Sequence, residues 1–114
     1  IGDRAGEMLR EVVAIATETG SKQVGQCALD VSAGYGVWRE DWERAVRFFG
    51  AAQAQVDDTG LQRDPADEAF LLPLIARARA RLGESAFARA EYAGRALSWE
   101  QGLGEARAWL NPGS

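Results

Sequence analysis

Thiol, carboxylate, guanidinium and hydroxyl groups and one lysine amine are the reactive groups of this sequence, which contains no histidine. The lone cysteine, Cys27, has no histidine to activate it, and its neighbours in sequence supply no positive charge to lower its pKa. With Val24, Ala28, Val31 and Tyr35 it falls on an i, i+3, i+4, i+7, i+11 series, one apolar face of a helix, so it is expected to be buried filler. An internal disulfide is excluded by the count, and the common zinc sites cannot be assembled without histidine. Two pairs of acids, Asp57 with Asp58 and Asp67 with Glu68, have the chemistry to move a proton or hold a cation. Both pairs sit where a loop or a helix start takes acids anyway. Gly34 and Gly36 flank Tyr35 without the G-K-[ST] that a phosphate loop needs. The sequence therefore predicts no catalytic residue, no metal site and no cofactor, and the chain reads as a non-enzyme.

Charge narrows the partners. The 114 residues carry a formal charge of −4, with 46% hydrophobic and 26% charged side chains, the balance of an ordinary globular chain. Residues 1–114 are read as one helical repeat domain with one core. Nucleic-acid binding requires clustered Lys and Arg, whereas Lys22 is the one lysine and the arginines are scattered. The densest group, Arg77, Arg79 and Arg81, fans around a helix and reads as a solvated face. No apolar run is long enough to span a membrane and the first residues lack the layout of a signal peptide, so a reduced, cytoplasmic setting is expected. The start at Ile1 is read as the mark of a fragment of a larger protein.

The elements that position these groups follow from periodicity. A first helix is predicted from about Arg4 to Thr19, with Met8, Leu9, Val12, Val13 and Ala16 as its core stripe and Gly20 as its stop. Ser21 caps a second helix that carries the Cys27 stripe and ends near Gly36; its glycines are expected to admit close neighbours. A third runs from about Glu40 to Val56 with Trp42, Ala45, Val46, Phe49, Ala52 and Val56 inward. After a loop over Asp57 to Asp64, Asp64 caps and Pro65 opens a fourth helix, whose stripe is Leu71, Leu74, Ile75, Ala78 and Leu82 and whose end is Gly83. Pro73 predicts a kink or break around Phe70 to Pro73. A fifth helix covers about Glu84 to Ala96, with Ala86, Phe87, Ala90 and Ala93 inward. Ser98 and Gln101 form a capping box for a sixth, which carries Trp99, Leu103, Ala106 and Leu110 and is stopped by Asn111 and Pro112. About six helices on short connections imply an all-α fold of antiparallel hairpins.

A repeat is visible within them. Ala45, Phe49 and Ala52 have the A-x-x-x-F-x-x-A spacing of the second helix of a tetratricopeptide repeat, and Ala86, Ala90 and Ala93 repeat the offsets with alanine in the middle place. The two triplets are 41 residues apart, the usual repeat of about 34 plus the loop at Asp57 to Asp64. From Glu40 to Leu110 the chain resembles the helical C-terminal segment of bacterial LuxR-type and MalT-like transcriptional regulators and of related signalling ATPases. The likeness is carried by Glu43-Arg44-Ala45, Phe48-Phe49-Gly50-Ala51-Ala52, Arg81-Leu82-Gly83-Glu84 with Ala86-Phe87, and Gly94-Arg95-Ala96-Leu97-Ser98 with Glu100. Met8 to Thr19 carries no part of it. It implies a right-handed tetratricopeptide-repeat-like superhelix that serves signal transduction beside ATPase and DNA-binding domains elsewhere in such chains.

Repeat positions counted from Ala45 bring Cys27, Asp30, Gly34 and Trp38 towards the concave face. Trp38, beside Arg39, falls between the second and third helices. Asp30, Tyr35 and Trp38 are thus the candidate interaction residues, set against simple hairpin packing. Two functions follow: a module that binds a protein or peptide, including a second copy of itself as a homodimer, or a small-molecule sensor with a pocket between hairpins. Neither direct nucleic-acid binding nor membrane association is expected.

Overall fold

The computed structural model describes residues 2–111, which form six helices: α1 (Gly2–Thr19), α2 (Lys22–Trp38), α3 (Trp42–Thr59), α4 (Pro65–Leu82), α5 (Glu84–Arg95) and α6 (Trp99–Leu110). The fold is all-α, with no strand among the described residues. Pro112, read as part of the last stop signal, lies outside them.

Local chemistry places most boundaries. Gly20 ends α1 at φ +68°, and the Ser21 hydroxyl accepts from the Val24 amide to open α2. Asp64 accepts from the Ala66 amide, with Pro65 in the first turn of α4. Ser98 and Gln101 complete a reciprocal capping box at α6.

Three boundaries differ from the sequence reading. Helix α2 continues past Gly36 to Trp38, because a Schellman closure seals it there: Glu40 donates to the Val37 carbonyl and Asp41 to the Gly36 carbonyl. That closure puts Glu40 in the left-handed region at φ +61° and delays α3 to Trp42. At its other end α3 runs through Asp57 and Asp58 to Thr59, and Gly60 at φ +74° turns the chain out. Pro73 does not break α4, which is continuous from Pro65 to Leu82. Ala69, whose carbonyl loses its helical partner, and Pro73 are both exposed, so water can take the missing bond.

Helices α2–α3 and α4–α5 lie side by side, with α2 against α4 and α3 against α5. The α3–α5 contact is the most extensive and brings backbones together at Gly50 and Gly94. Helix α6 packs on α1, α2 and α3, and Arg10 Nη1 donates to the Leu110 carbonyl at 3.1 Å across that seam. The core is centred on Leu9, Val13, Leu29, Val46, Phe48 and Leu103, all essentially removed from solvent. Each such side chain contributes on the order of 2 kcal/mol of transfer free energy. The glycines of α2 behave unequally. A Cβ on Gly25 would stand 2.7 Å from Trp99 Cε2 and one on Gly36 2.9 Å from Ala45 Cβ, so both admit a neighbour, whereas Gly34 has ordinary room.

Arg77, Arg79 and Arg81 are exposed, yet Arg79 lies over Phe87 and forms a bidentate bond to Glu84 at 2.7 and 2.9 Å. Arg81 lies over Trp42. Among the described residues no helix is long and apolar enough to cross a membrane.

Candidate functional site

Helix α2 is apolar on more than one side. Gly25, Ala28, Leu29, Ser32, Ala33 and Gly36 are buried against the core. The adjoining strip of Cys27, Val31, Tyr35 and Trp38 instead floors a groove. One wall is Ala5 and Leu9 of α1; the other is the Leu61–Asp64 connection with Phe70 and Leu71 of α4. The cause is architectural: α1 and α4 each pack on α2 without packing closely on one another, and the strip between them stays uncovered. Cys27 is therefore exposed, contrary to its expected burial, and Val31 with it. Met8, expected in the core stripe of α1, is exposed as well, while Leu9 and Val13 carry the burial.

The groove encloses about 770 Å³ and is lined along α2 from Gln23 to Trp38. At 1.5 Å per residue that is a channel about 22 Å long. Aromatic side chains mark one end. Trp38 is 56% exposed and stacks on Tyr35 at 5.9 Å between centroids, and Tyr35 meets the edge of Trp109 at 5.6 Å. Phe70, 70% exposed, stands on the α4 wall. The Tyr35 hydroxyl accepts from Arg39 Nη1 at 3.2 Å.

Polar groups mark the other half, around Gln26 and Asp30. Arg63 Nε donates to Asp30 Oδ2 at 2.8 Å, Arg63 Nη1 donates to Gln53 Oε1, and the guanidinium lies over the Phe49 ring. The Arg63 side chain is only 4% exposed and that of Asp30 15%. Gln26, equally buried, donates from Nε2 to the Leu61 carbonyl at 3.2 Å and so ties the connection to α2. Three atoms here make no protein hydrogen bond: Gln26 Oε1, Asp30 Oδ1 and Arg63 Nη2. Burial raises the Asp30 pKa, the Arg63 hydrogen bond and charge oppose the rise, and the Asp67 charge adds to it. Burial, then the charges of Asp30 and Asp67, raise the Cys27 thiol. A thiol held protonated is a weak nucleophile at neutral pH.

The candidate residues Asp30, Tyr35 and Trp38 all line this one groove, together with Cys27 and Gly34. The acid pairs part company. Asp57 accepts from Arg95 Nη1 at 2.9 Å on a remote surface, whereas Asp67 joins the groove wall and Glu68 sits beside it in the first turn of α4. Among the described residues no group of three or more Cys, Asp or Glu side chains could hold a metal ion. Sequence reasoning missed Arg63, Gln26 and Phe70. Phe70 carried a signal, since it falls off the Leu71, Leu74, Ile75, Ala78 stripe and an apolar residue there has no core to face. Arg63 carried none, because it lies in a connection and its partner is 33 positions away.

No family model matches this chain, and no curated protein or solved structure is found similar to it.

Proposed function

We propose that this chain is a non-enzymatic helical binding module whose groove along α2 receives a segment of another polypeptide. The observation that carries the reading is the uncovered strip of α2, roughly 22 Å long, flanked by the exposed rings of Trp38 and Phe70. A channel of that length takes about six residues of extended chain or four turns of helix, more than one compact metabolite fills. Clustered exposed aromatic rings are also the usual anchors of a protein interface.

The side-by-side packing of α2–α3 and α4–α5 supports reading them as two tetratricopeptide-repeat-like hairpins of a right-handed superhelix. The resemblance between Glu40 and Leu110 supports a place in a bacterial transcriptional regulator, as a signalling or assembly part in the cytoplasm. Contacts to DNA or ATP then belong to other domains. A second reading, a small-molecule sensor, draws on the cavity volume of about 770 Å³, which lies in the range of ligand pockets.

The test is selection of short random peptides displayed against the immobilised chain. Selected peptides should shield Cys27 from a thiol reagent, and Trp38→Ala should weaken them by about tenfold or more. Binders that leave Cys27 open and ignore Trp38→Ala would sink the reading. Light scattering over a concentration series shows whether the segment received belongs to a second copy of this chain.

A further inference from the structure

Resting on that peptide reading, we infer that the received segment presents a basic side chain, Arg or Lys, to the carboxylates around Asp30 midway along the groove, with apolar residues over Tyr35, Trp38 and Phe70. Charge is the first argument. Asp30, Asp64 and Asp67 line the groove against Arg63 alone, and Arg63 already serves Asp30, so the lining carries two uncompensated negative charges. Asp64 spends one oxygen on the α4 cap, and Asp67 is exposed on the wall.

Hydrogen-bond capacity is the second argument and is independent of charge. Gln26, 6% exposed, and Asp30 each keep one acceptor oxygen without a partner, and Arg63 Nη2 keeps its two N–H donors. A guanidinium or ammonium group, all donor and no acceptor, is a partner for the Asp30 oxygen. Both oxygens are shielded in the free chain, so the part-open Asp30 carboxyl must turn for Oδ1 to meet a ligand. An anionic group would add to the like charge. An apolar group would leave Asp30 Oδ1 unpaired.

The polarity of the groove agrees. Arg39 holds the Tyr35 hydroxyl at the aromatic end, so positive charge is disfavoured there and favoured at the carboxylates. The methylene stem of Arg or Lys would lie along Val31 and Leu71 between the two, as such stems commonly cover apolar surface.

The experiment sequences the displayed peptides that shield Cys27 and respond to Trp38→Ala, then resynthesises the tightest with citrulline or Glu in place of its basic residue. The expected result is enrichment in Arg and Lys and a loss of about tenfold in affinity with citrulline, more with Glu. Asp67→Asn should reduce that margin several-fold, while Glu43→Gln, the same charge change outside the groove, should not. Asp30→Asn should act more strongly than Asp67→Asn, and Asp67→Asn keeps the test decisive if the Asp30 variant folds poorly. If the citrulline peptide binds as tightly as its parent, the basic side chain is wrong and the groove reading stands. If no selected peptide shields Cys27, the groove reading itself fails. Binding of arginine amide alone as tightly as the whole peptide would overturn the peptide in favour of a small cation.

Discussion

Gly50 of α3 and Gly94 of α5 stand on the two sides of one helix crossing and leave no room for a side chain on either. A Cβ on Gly50 would run into the Glu91 carbonyl oxygen and lie 3.1 Å from the Arg95 amide nitrogen; one on Gly94 would run into the Arg47 carbonyl and lie 3.1 Å from the Ala51 amide nitrogen. Alanine gains about 1 kcal/mol over glycine in an open helix, but here it must push two backbones apart. Gly50→Ala and Gly94→Ala should each lower stability by about 2 kcal/mol, read as the urea midpoint. Gly104→Ala, which meets nothing within 4 Å, should raise it by about 0.5–1 kcal/mol.

Arg63 is the counter-charge that lets Asp30 be buried. Arg63→Met should cost about 3 kcal/mol at neutral pH, and Asp30→Leu added to it should restore much of the loss, as removing both charges of a buried pair generally does. The folded-state pKa of Asp30 lies above its ordinary 3.8. Its contribution to stability is therefore fully present below that ordinary value and is lost as pH rises through the folded one. Without Arg63 the folded pKa rises further, so the Arg63→Met deficit should narrow on acidification into the carboxylate range. Denaturation at several pH values reads this, and a deficit independent of pH would count against it.

Glu105 of α6 has the opposite sign. Arg47 of α3 donates to both its oxygens at 2.6 Å, from Nε and Nη2, and that hydrogen bonding lowers the Glu105 pKa below its ordinary 4.5. The stabilisation is present above 4.5 and is lost as pH falls through the lowered folded value. Because the pair is part-exposed and screened, Glu105→Gln should cost no more than about 1 kcal/mol at neutral pH. Wild type and variant should converge in stability once the pH falls below the folded value.

Cys27 offers a direct probe of the groove. It is exposed, yet burial of part of the thiol and the charges of Asp30 and Asp67 raise its pKa above the ordinary 9.0. Labelling by a thiol reagent should go to completion in the folded chain, slowly at neutral pH and faster as pH rises, since the thiolate is the reacting form. Asp67→Asn should speed it at neutral pH by lowering the pKa. Completion only on addition of denaturant would mean a closed groove.

Much of this fold was legible from neighbours in sequence. Ser21, Asp64 with Pro65, Gly83 and the Ser98–Gln101 box act on amides and carbonyls within four residues, so their meaning does not depend on what packs nearby. The stripe of α6 was legible for a related reason, since its one apolar side must be buried, whereas α3 is buried nearly all round from Phe48 to Ala52 and α4 leaves Phe70 and Leu72 exposed. Helix α2 is apolar on several sides, so periodicity could not say which of them a neighbour would cover. The path of the α3–α4 connection left Cys27, Val31, Tyr35 and Trp38 open and set Arg63 against Asp30 across 33 positions. The sequence alone determined the six helices and the capped starts of α2, α4 and α6, because those rest on local hydrogen bonds and hydrophobic periodicity. Only the tertiary structure decided the groove, because an uncovered surface is defined by the helices that do not meet over it.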